Sequence, residues 1–274
     1  MNRNVKVFLI ALLCHAAGVS WSLAQGVPAT SEAQQVLATA ASKQKYTFLV
    51  FYKDNGPATQ AMAQTVKRGV ESRSGRATLA YVNVADPAEK TLVDRFGASR
   101  APMPLTVAVA PNGAMTKLTP TTISDEQIEK SFVTPAMAHC MKSMQDGRLV
   151  FVCIQSGAKP AIPAGVRDLS SDPEFKGRIA IVPVNAGDPA EAELVRQLES
   201  DVAVKGATTV FLAPPGVLVG KFGPTATKAQ LAVALHKAGQ CCEDPNCKHN
   251  QAGQPANQPA AGAARQPQNP GTRR

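Results

Sequence analysis

Two segments of this chain repeat each other, and the repeat limits the fold more than any other feature of the sequence. Residues 75–93, GRATLAYVNVADPAEKTLV, match residues 177–195, GRIAIVPVNAGDPAEAELV, at ten of nineteen positions with a constant offset of 102. Unrelated segments of this length would share about one position. The sequence therefore predicts two copies of one domain, each of roughly 100 residues.

Each repeated segment has the pattern of a buried strand that leads into a helix. Residues 77–84 and 179–186 are short apolar runs, which suit buried strands. Asp86 and Asp188 can cap the helices that follow, because a proline comes next at the first helical position. Over the first copy we expect strands at 47–52, 77–84, 104–110 and 114–118, and helices at 57–72, 87–96 and from 125 to 132 or beyond. This order predicts an α/β sandwich whose early strands are parallel.

The first strand-to-helix turn resembles that of the thioredoxin-like superfamily, which reads F-[WY]-x-x-W-C-G-P-C. Here the turn is one residue shorter and reads FYKDNGPA over residues 51–58. The stretch DRFGASRAPMP, residues 94–104, resembles the family segment that leads to a cis-proline, and Pro104 fits that position better than Pro102. The resemblance implies two tandem thioredoxin-like α/β sandwich domains.

The turn lacks the two cysteines of redox-active members of the family. Asn55 and Ala58 stand in their places, and no C-x-x-C occurs in the chain. Thiol–disulfide exchange needs one thiolate that attacks and a second thiol that resolves the mixed disulfide, so the turn disfavours an enzyme of this kind. The resemblance implies a partner-binding cleft without redox chemistry, formed by Asn55, Gly56, Pro57, Ala58 and Pro104. The alternative is that the Gly-Pro pair only starts a helix and binds nothing.

Five cysteines follow residue 24, and their positions favour structural roles. Cys153 lies between a valine and an isoleucine, which is typical of a small buried core residue. We interpret Cys140 as the end of the last helix of the first copy, with Cys242 near the equivalent position in the second. In an oxidising compartment Cys140 could form a disulfide with a cysteine of the C-terminal segment, and the odd number of thiols allows a disulfide-linked dimer.

The C-terminal segment carries a cluster of soft metal ligands. Its sequence CCEDPNCKHN places four candidate ligands within nine residues: Cys241, Cys242, Cys247 and His249. Thiolate and imidazole ligands suit copper, as Cu(I), or zinc. Adjacent cysteines are not a standard spacing for a zinc site, so disulfides or free thiols are the alternative.

The chain begins with the pattern of a signal peptide. Arg3 and Lys6 precede an apolar run over residues 7–13, and residues 22–24 offer the small side chains that a signal peptidase needs. The run is too short to span a bilayer, so we expect a periplasmic or secreted protein with no stable membrane insertion after cleavage. The predicted organisation is a signal peptide (1–24), a first domain (31–140), a second domain (147–240) and a cysteine-containing, then disordered tail (241–274).

Composition narrows the class of function. The 29 basic residues exceed the 20 acidic ones, for a net charge of +9, but they are scattered and have few aromatic neighbours, so no nucleic-acid groove is indicated. After His249 the chain is rich in Gln, Asn, Pro, Ala and Gly, which predicts disorder. The leading hypothesis is an exported, non-catalytic protein that binds a protein or peptide partner. The alternatives are soft-metal binding through the C-terminal cluster and a residual thiol–disulfide oxidoreductase that uses Cys140 or the tail cysteines.

Overall fold

The computed structural model describes residues 30–157, 161–199 and 207–240, which fold into two four-stranded α/β units. The first unit contains α1 (Glu32–Ser42), β1 (Tyr46–Tyr52), α2 (Pro57–Glu71), β2 (Ala77–Asn83), α3 (Lys90–Arg95), β3 (Leu105–Val109), β4 (Met115–Pro120) and α4 (Asp125–Glu129). The second contains α5 (Pro135–Gln145), β5 (Leu149–Gln155), α6 (Ala164–Ser170), β6 (Ile179–Asn185), α7 (Ala192–Glu199), β7 (Thr208–Ala213), β8 (Val217–Phe222) and α8 (Lys228–Gln240). The predicted α/β fold class is confirmed, whereas the predicted disordered tail lies outside the described residues.

The two sheets have the same strand order and the same strand directions. In the first sheet the order is β2-β1-β3-β4, with β1 and β2 parallel and the other neighbours antiparallel. The second sheet has the order β6-β5-β7-β8, again with one parallel pair followed by two antiparallel pairs. Each unit thus has the strand and helix order that the thioredoxin-like resemblance implied.

Strand β1 lies in the middle of the first core. Its side chains from Phe48 to Phe51 are completely buried, because helices cover both faces of the sheet. Leu49 and Phe51 pack with α1 and α3, and Phe48 and Val50 pack with α2 and α4. A central strand that is covered on both faces needs a continuous apolar run rather than an alternating one. This is why the sequence shows such a run at this position.

One buried carboxylate in each unit ties the first helix to the segment that follows the second strand. Glu89 is 7% exposed and accepts a hydrogen bond from the Ser31 hydroxyl, at the start of α1, at 2.7 Å. Glu191 is 8% exposed and accepts one from the Ala136 N–H, in the first turn of α5, at 2.9 Å. The free N–H groups and the dipole of a helix start favour a negative charge there. The repeated Pro-Ala-Glu therefore positions a helix in both units, a role that the sequence analysis did not assign.

The helix that contains Cys140 belongs with the second sheet. The prediction that the last helix of the first copy ends at Cys140 was wrong, because this helix runs from Pro135 to Gln145. Helix α4 stops at Glu129, and Thr134 caps a new helix that begins at Pro135, a residue that suits a first helical turn but not a helix interior. Ala136 and Cys140 are buried in the second core, so α5 spans the predicted domain boundary at residue 140.

The opposite face of α5 covers the end of the first sheet. Ala138 packs against Ala110 and Ala114, which are almost completely buried. The Met115 N–H donates to Oε1 of Gln145 at 2.9 Å, and Nε2 of Gln145 donates to the Met115 carbonyl at 2.7 Å. The side-chain amide thus takes the place of a neighbouring strand at the edge of β4. One helix therefore contributes to both units.

The close approach of α6 to the start of α8 predicts a sensitive position at Gly165. A Cβ atom there would overlap the Ala226 carbonyl oxygen and lie 2.7 Å from the carbonyl carbon of Thr227. We expect Gly165→Ala to lower the free energy of unfolding by about 1–3 kcal/mol, because backbone atoms cannot move aside as a flexible side chain can.

The matched control is Gly75→Ala, since no atom lies within 4 Å of a Cβ built at Gly75. It should change the unfolding free energy by less than about 0.5 kcal/mol. Denaturant titrations of both variants measure the difference, and equal stabilities would contradict the tight contact at Gly165.

Candidate functional site

The predicted cleft begins at the short connection between β1 and α2, and α2 starts at Pro57 as predicted. The Asp54 carboxylate accepts a hydrogen bond from the Gly56 N–H at 2.9 Å, and the Gln60 side chain donates to the Asn55 carbonyl at 2.8 Å. These bonds hold the backbone of the turn and leave the Asn55 side chain exposed. The amide of Asn55 is therefore accessible to a partner.

Pro104 lies near this turn, at the end of the sheet where β1 finishes and β3 begins. Phe51 in β1 pairs with Leu105 in β3, so the residue before Leu105 stands beside the last residue of β1. The Met103–Pro104 peptide bond is cis, and it is Pro104 rather than Pro102 that has this geometry. Pro104 is buried. It therefore contributes to the shape of the cleft and offers no exposed side chain.

A pocket of about 460 Å³ opens beside Asn55, between the first turns of α2 and the edge strand β2. It is lined by aromatic, amide and small side chains: Tyr52, Asn55, Thr59, Gln60, Ala63, Gln64 and Tyr81. The structure describes all five residues predicted for the cleft, and Asn55 is the one that lines this pocket. Gly56, Pro57, Ala58 and Pro104 lie outside its lining.

Tyr81 is one of six pocket residues that the sequence did not predict, and it is the one that β2 contributes. It lies on β2 with 46% of its surface exposed, at a position where the second copy has Pro183. Burial of part of the ring raises the pKa of its hydroxyl, and Glu71 adds to the shift. The hydroxyl is therefore neutral near pH 7 and can both donate and accept a hydrogen bond. An aromatic residue among the small and aliphatic residues in the middle of β2 was the signal that could have found it.

The polar groups of the pocket come from a few uncharged residue types. Its lining carries hydroxyl and amide groups, and no cysteine, histidine, carboxylate or lysine belongs to it. Tyrosine offers a large rigid contact surface at a low cost in conformational entropy, and amides offer adaptable hydrogen bonds.

The two cysteines within the described part of the chain are buried free thiols. Cys140 is 1% exposed and Cys153 is 2% exposed, which confirms the core position expected for Cys153. Burial, with Glu191 nearby, raises the pKa of the Cys140 thiol to about 12. Burial raises the pKa of the Cys153 thiol to about 11, although a hydrogen bond with Thr209 opposes this shift. Both groups are therefore protonated at neutral pH and poor nucleophiles.

The predicted metal or disulfide cluster of Cys241, Cys242, Cys247 and His249 lies outside the described residues, and its function stays a prediction. The predicted signal peptide, residues 1–24, lies outside them as well. Within the described ranges, no three His, Cys, Asp or Glu side chains come close enough together to hold a metal ion. No helix in those ranges is long and apolar enough to cross a bilayer.

Comparisons with known proteins give only distant structural likenesses. No protein-family model matches this chain, and no curated protein matches it. The NTD_N/C domain of alkylhydroperoxide reductase AhpF from Enterococcus faecalis is 13% identical, with coverage of 73% of this chain and 96% of that one and a TM-score of 0.28. The first two thioredoxin domains of Saccharomyces cerevisiae Eps1p are 12% identical, with coverage of 77% and 98% and a TM-score of 0.28.

The zinc-bound form of human ERp44 is 9% identical to this chain, with a TM-score of 0.32. The match covers 78% of this chain and 59% of ERp44. At these identities and TM-scores, the likenesses assign neither an activity nor a ligand to this chain.

Burial of the two thiols predicts a loss of stability at high pH. A thiol in the unfolded chain ionises near pH 9, whereas the folded Cys140 thiol has a pKa of about 12. The protonated thiol therefore favours the fold below pH 9, and this contribution is lost as the pH rises toward 12, by about 1.4 kcal/mol per pH unit for each thiol. We expect the unfolding free energy of a Cys140→Ala, Cys153→Ala variant to fall less steeply above pH 9 than that of the native protein. Parallel pH profiles in urea titrations would contradict the buried, protonated state.

Proposed function

We propose that this chain is an exported, non-catalytic thioredoxin-like protein that binds an extended segment of a protein or peptide partner. The observation that carries the proposal is the pocket between Tyr52 and Tyr81, which shares Asn55 with the cleft that the family resemblance predicts and opens on the β2 side of that turn. The pocket is concave and partly aromatic, and its amide and hydroxyl groups converge on one space. These are the properties of surfaces that bind peptides and small ligands.

Strand β2 offers a backbone edge beside this pocket. It stands at one end of the strand order, with β1 on one side and no strand of the described ranges on the other. In the parallel register, Tyr81 lies opposite Val50 and Asn83 lies opposite Tyr52. The unpaired side of an edge strand can hydrogen-bond to an extended peptide, whose alternate side chains then enter neighbouring pockets. A peptide added to β2 would pass directly over the pocket.

A second groove, of about 790 Å³, continues along the same strand. It lies between α1, the end of α2 and β2, and it shares Tyr81 with the first pocket. Its charged lining residues are Lys43, Lys45, Lys67, Glu32 and Glu71. The two cavities together form a track that can hold several consecutive residues of a peptide, and the excess of lysines favours a peptide with an acidic side chain at that end.

The turn supports binding without chemistry. Asn55 and Ala58 stand where the family has its redox cysteines, and neither an amide nor a methyl group can attack a disulfide. The described thiols, Cys140 and Cys153, are buried in the second unit. Neither the turn nor the thiols of the described residues would therefore react with a docked polypeptide.

The test uses a phage-displayed library of random peptides, selected on the purified protein. An enriched peptide is then synthesised with a fluorescent label and titrated by anisotropy. We expect Tyr81→Ala to weaken its binding by about 5- to 30-fold, because truncation of a central aromatic contact typically costs about 1–2 kcal/mol. The thermal unfolding midpoint should change little, since Tyr81 is 46% exposed.

Leu118→Ala is the matched control, because Leu118 is an apolar residue with 41% exposure on β4, the opposite edge of the same sheet. Its variant should bind the peptide like the native protein. If no peptide is enriched, or if both variants bind equally well, the pocket at Tyr81 is not a docking surface.

A further inference from the structure

Where the two units meet, a helix of the second unit covers the β3–β4 hairpin of the first sheet. Helix α5 lies on the end of the first sheet, where its Ala138 covers Ala110 and Ala114 and its Gln145 pairs with the backbone of Met115. Ala114 has no exposed surface as a result. We call this surface of the first sheet, formed by Ala110, Ala114 and Met115, the β4 seat.

The second sheet contains the equivalent surface. Val109 pairs with Met115 in the first sheet, and Leu212 pairs with Leu218 in the second, so the hairpins correspond residue by residue at an offset of 103. The counterpart of the β4 seat is therefore Ala213, Val217 and Leu218, which we call the β8 seat. Its two large side chains are exposed, 39% for Val217 and 51% for Leu218.

No helix of the described ranges takes the place of α5 on the β8 seat, because the two units end differently. Helix α4 stops after five residues, and the chain then turns back to place α5 on the β4 seat. Helix α8 runs on for thirteen residues from the equivalent start, so it does not turn back within the described part of the chain. The backbone of Leu218 likewise has no counterpart of Gln145 among the described residues.

The chain contains one more helix of the kind that fits such a seat. Helix α1 stands before β1 as α5 stands before β5, with a buried alanine in the same first turn, Ala33 in α1 and Ala136 in α5. The residues of α5 that face the β4 seat, Ala138, Met141 and Gln145, correspond to Gln35, Ala38 and Ser42 of α1. All three of these are exposed. Ala38 and Ser42 are short enough to allow close approach, and the Gln35 amide, which donates to the Thr30 carbonyl at 3.0 Å, lies on the same face.

We propose that the β8 seat binds α1 of a second copy of this chain, in the geometry with which α5 occupies the β4 seat. The contact joins two different surfaces, so each bound copy still presents a free seat at one end and a free α1 at the other. Copies joined in this way form head-to-tail chains, which lengthen as the protein concentration rises. A contact of one helix buries little area, so its dissociation constant falls in the range of about 1–100 µM.

The test measures the mass of the purified protein by sedimentation over about 1–100 µM. The native protein should gain mass with concentration. Leu218→Asp, which places a charge in the seat, and Ala38→Arg, which places a long side chain on the donor face, should each stay monomeric alone. An equimolar mixture of the two variants should form dimers and nothing larger, because one variant still offers α1 and the other still offers the seat.

Leu118→Asp is the control, because Leu118 is also exposed but lies outside both seats, and it should associate like the native protein. A native protein that stays monomeric overturns the proposal, and so does a mixture of the two variants that fails to dimerise. Association that appears only after removal of residues 241–274 also overturns it, since that segment would then be the occupant of the seat. Ala38→Arg changes an exposed helix position, so the test remains decisive even if Leu218→Asp does not fold.

Discussion

The packing of α5 against two sheets is the contact on which the arrangement of this protein depends. One face of the helix completes the second core through Ala136 and Cys140, and the opposite face closes the end of the first sheet through Ala138. Separation of the units would expose apolar surface, which costs about 25 cal/mol for each Å². The buried Glu191 adds a second constraint, because it holds the first turn of the same helix. The two units are thus connected through a packed helix as well as through the chain.

The first turn of the first unit holds its shape without any sulfur atom. Its geometry comes from backbone hydrogen bonds to Asp54 and Gln60 and from Pro57 at the start of α2. None of these contacts requires a cysteine at the position of Asn55, so the turn persists where thiol chemistry is absent. The pocket that opens beside it is lined by tyrosine, threonine and amide side chains.

Local signals predicted most of the first unit. The strand predicted at 47–52 is found at Tyr46–Tyr52, because its apolar run and its flanking polar residues mark both ends. The error at Cys140 arose where the two copies diverge: α8 runs on for thirteen residues, whereas α4 stops after five. Thr134 and Pro135 have the residue types of an N-cap and a first helical position, so the sequence contains a recognisable helix start. This helix start was overlooked because the repeat places Cys140 close to the position equivalent to Cys242.

The sequence by itself determined two α/β units of the same strand and helix order, a buried Cys153, and a first turn that lacks the redox cysteines. These follow from apolar periodicity, helix caps and residue type, which act over a few neighbouring residues. Only the tertiary structure decided that Tyr81 lies beside Asn55 and that α5 packs on two sheets. These contacts join residues far apart in the chain, and which distant surfaces meet depends on the packing of whole helices and strands rather than on any local pattern.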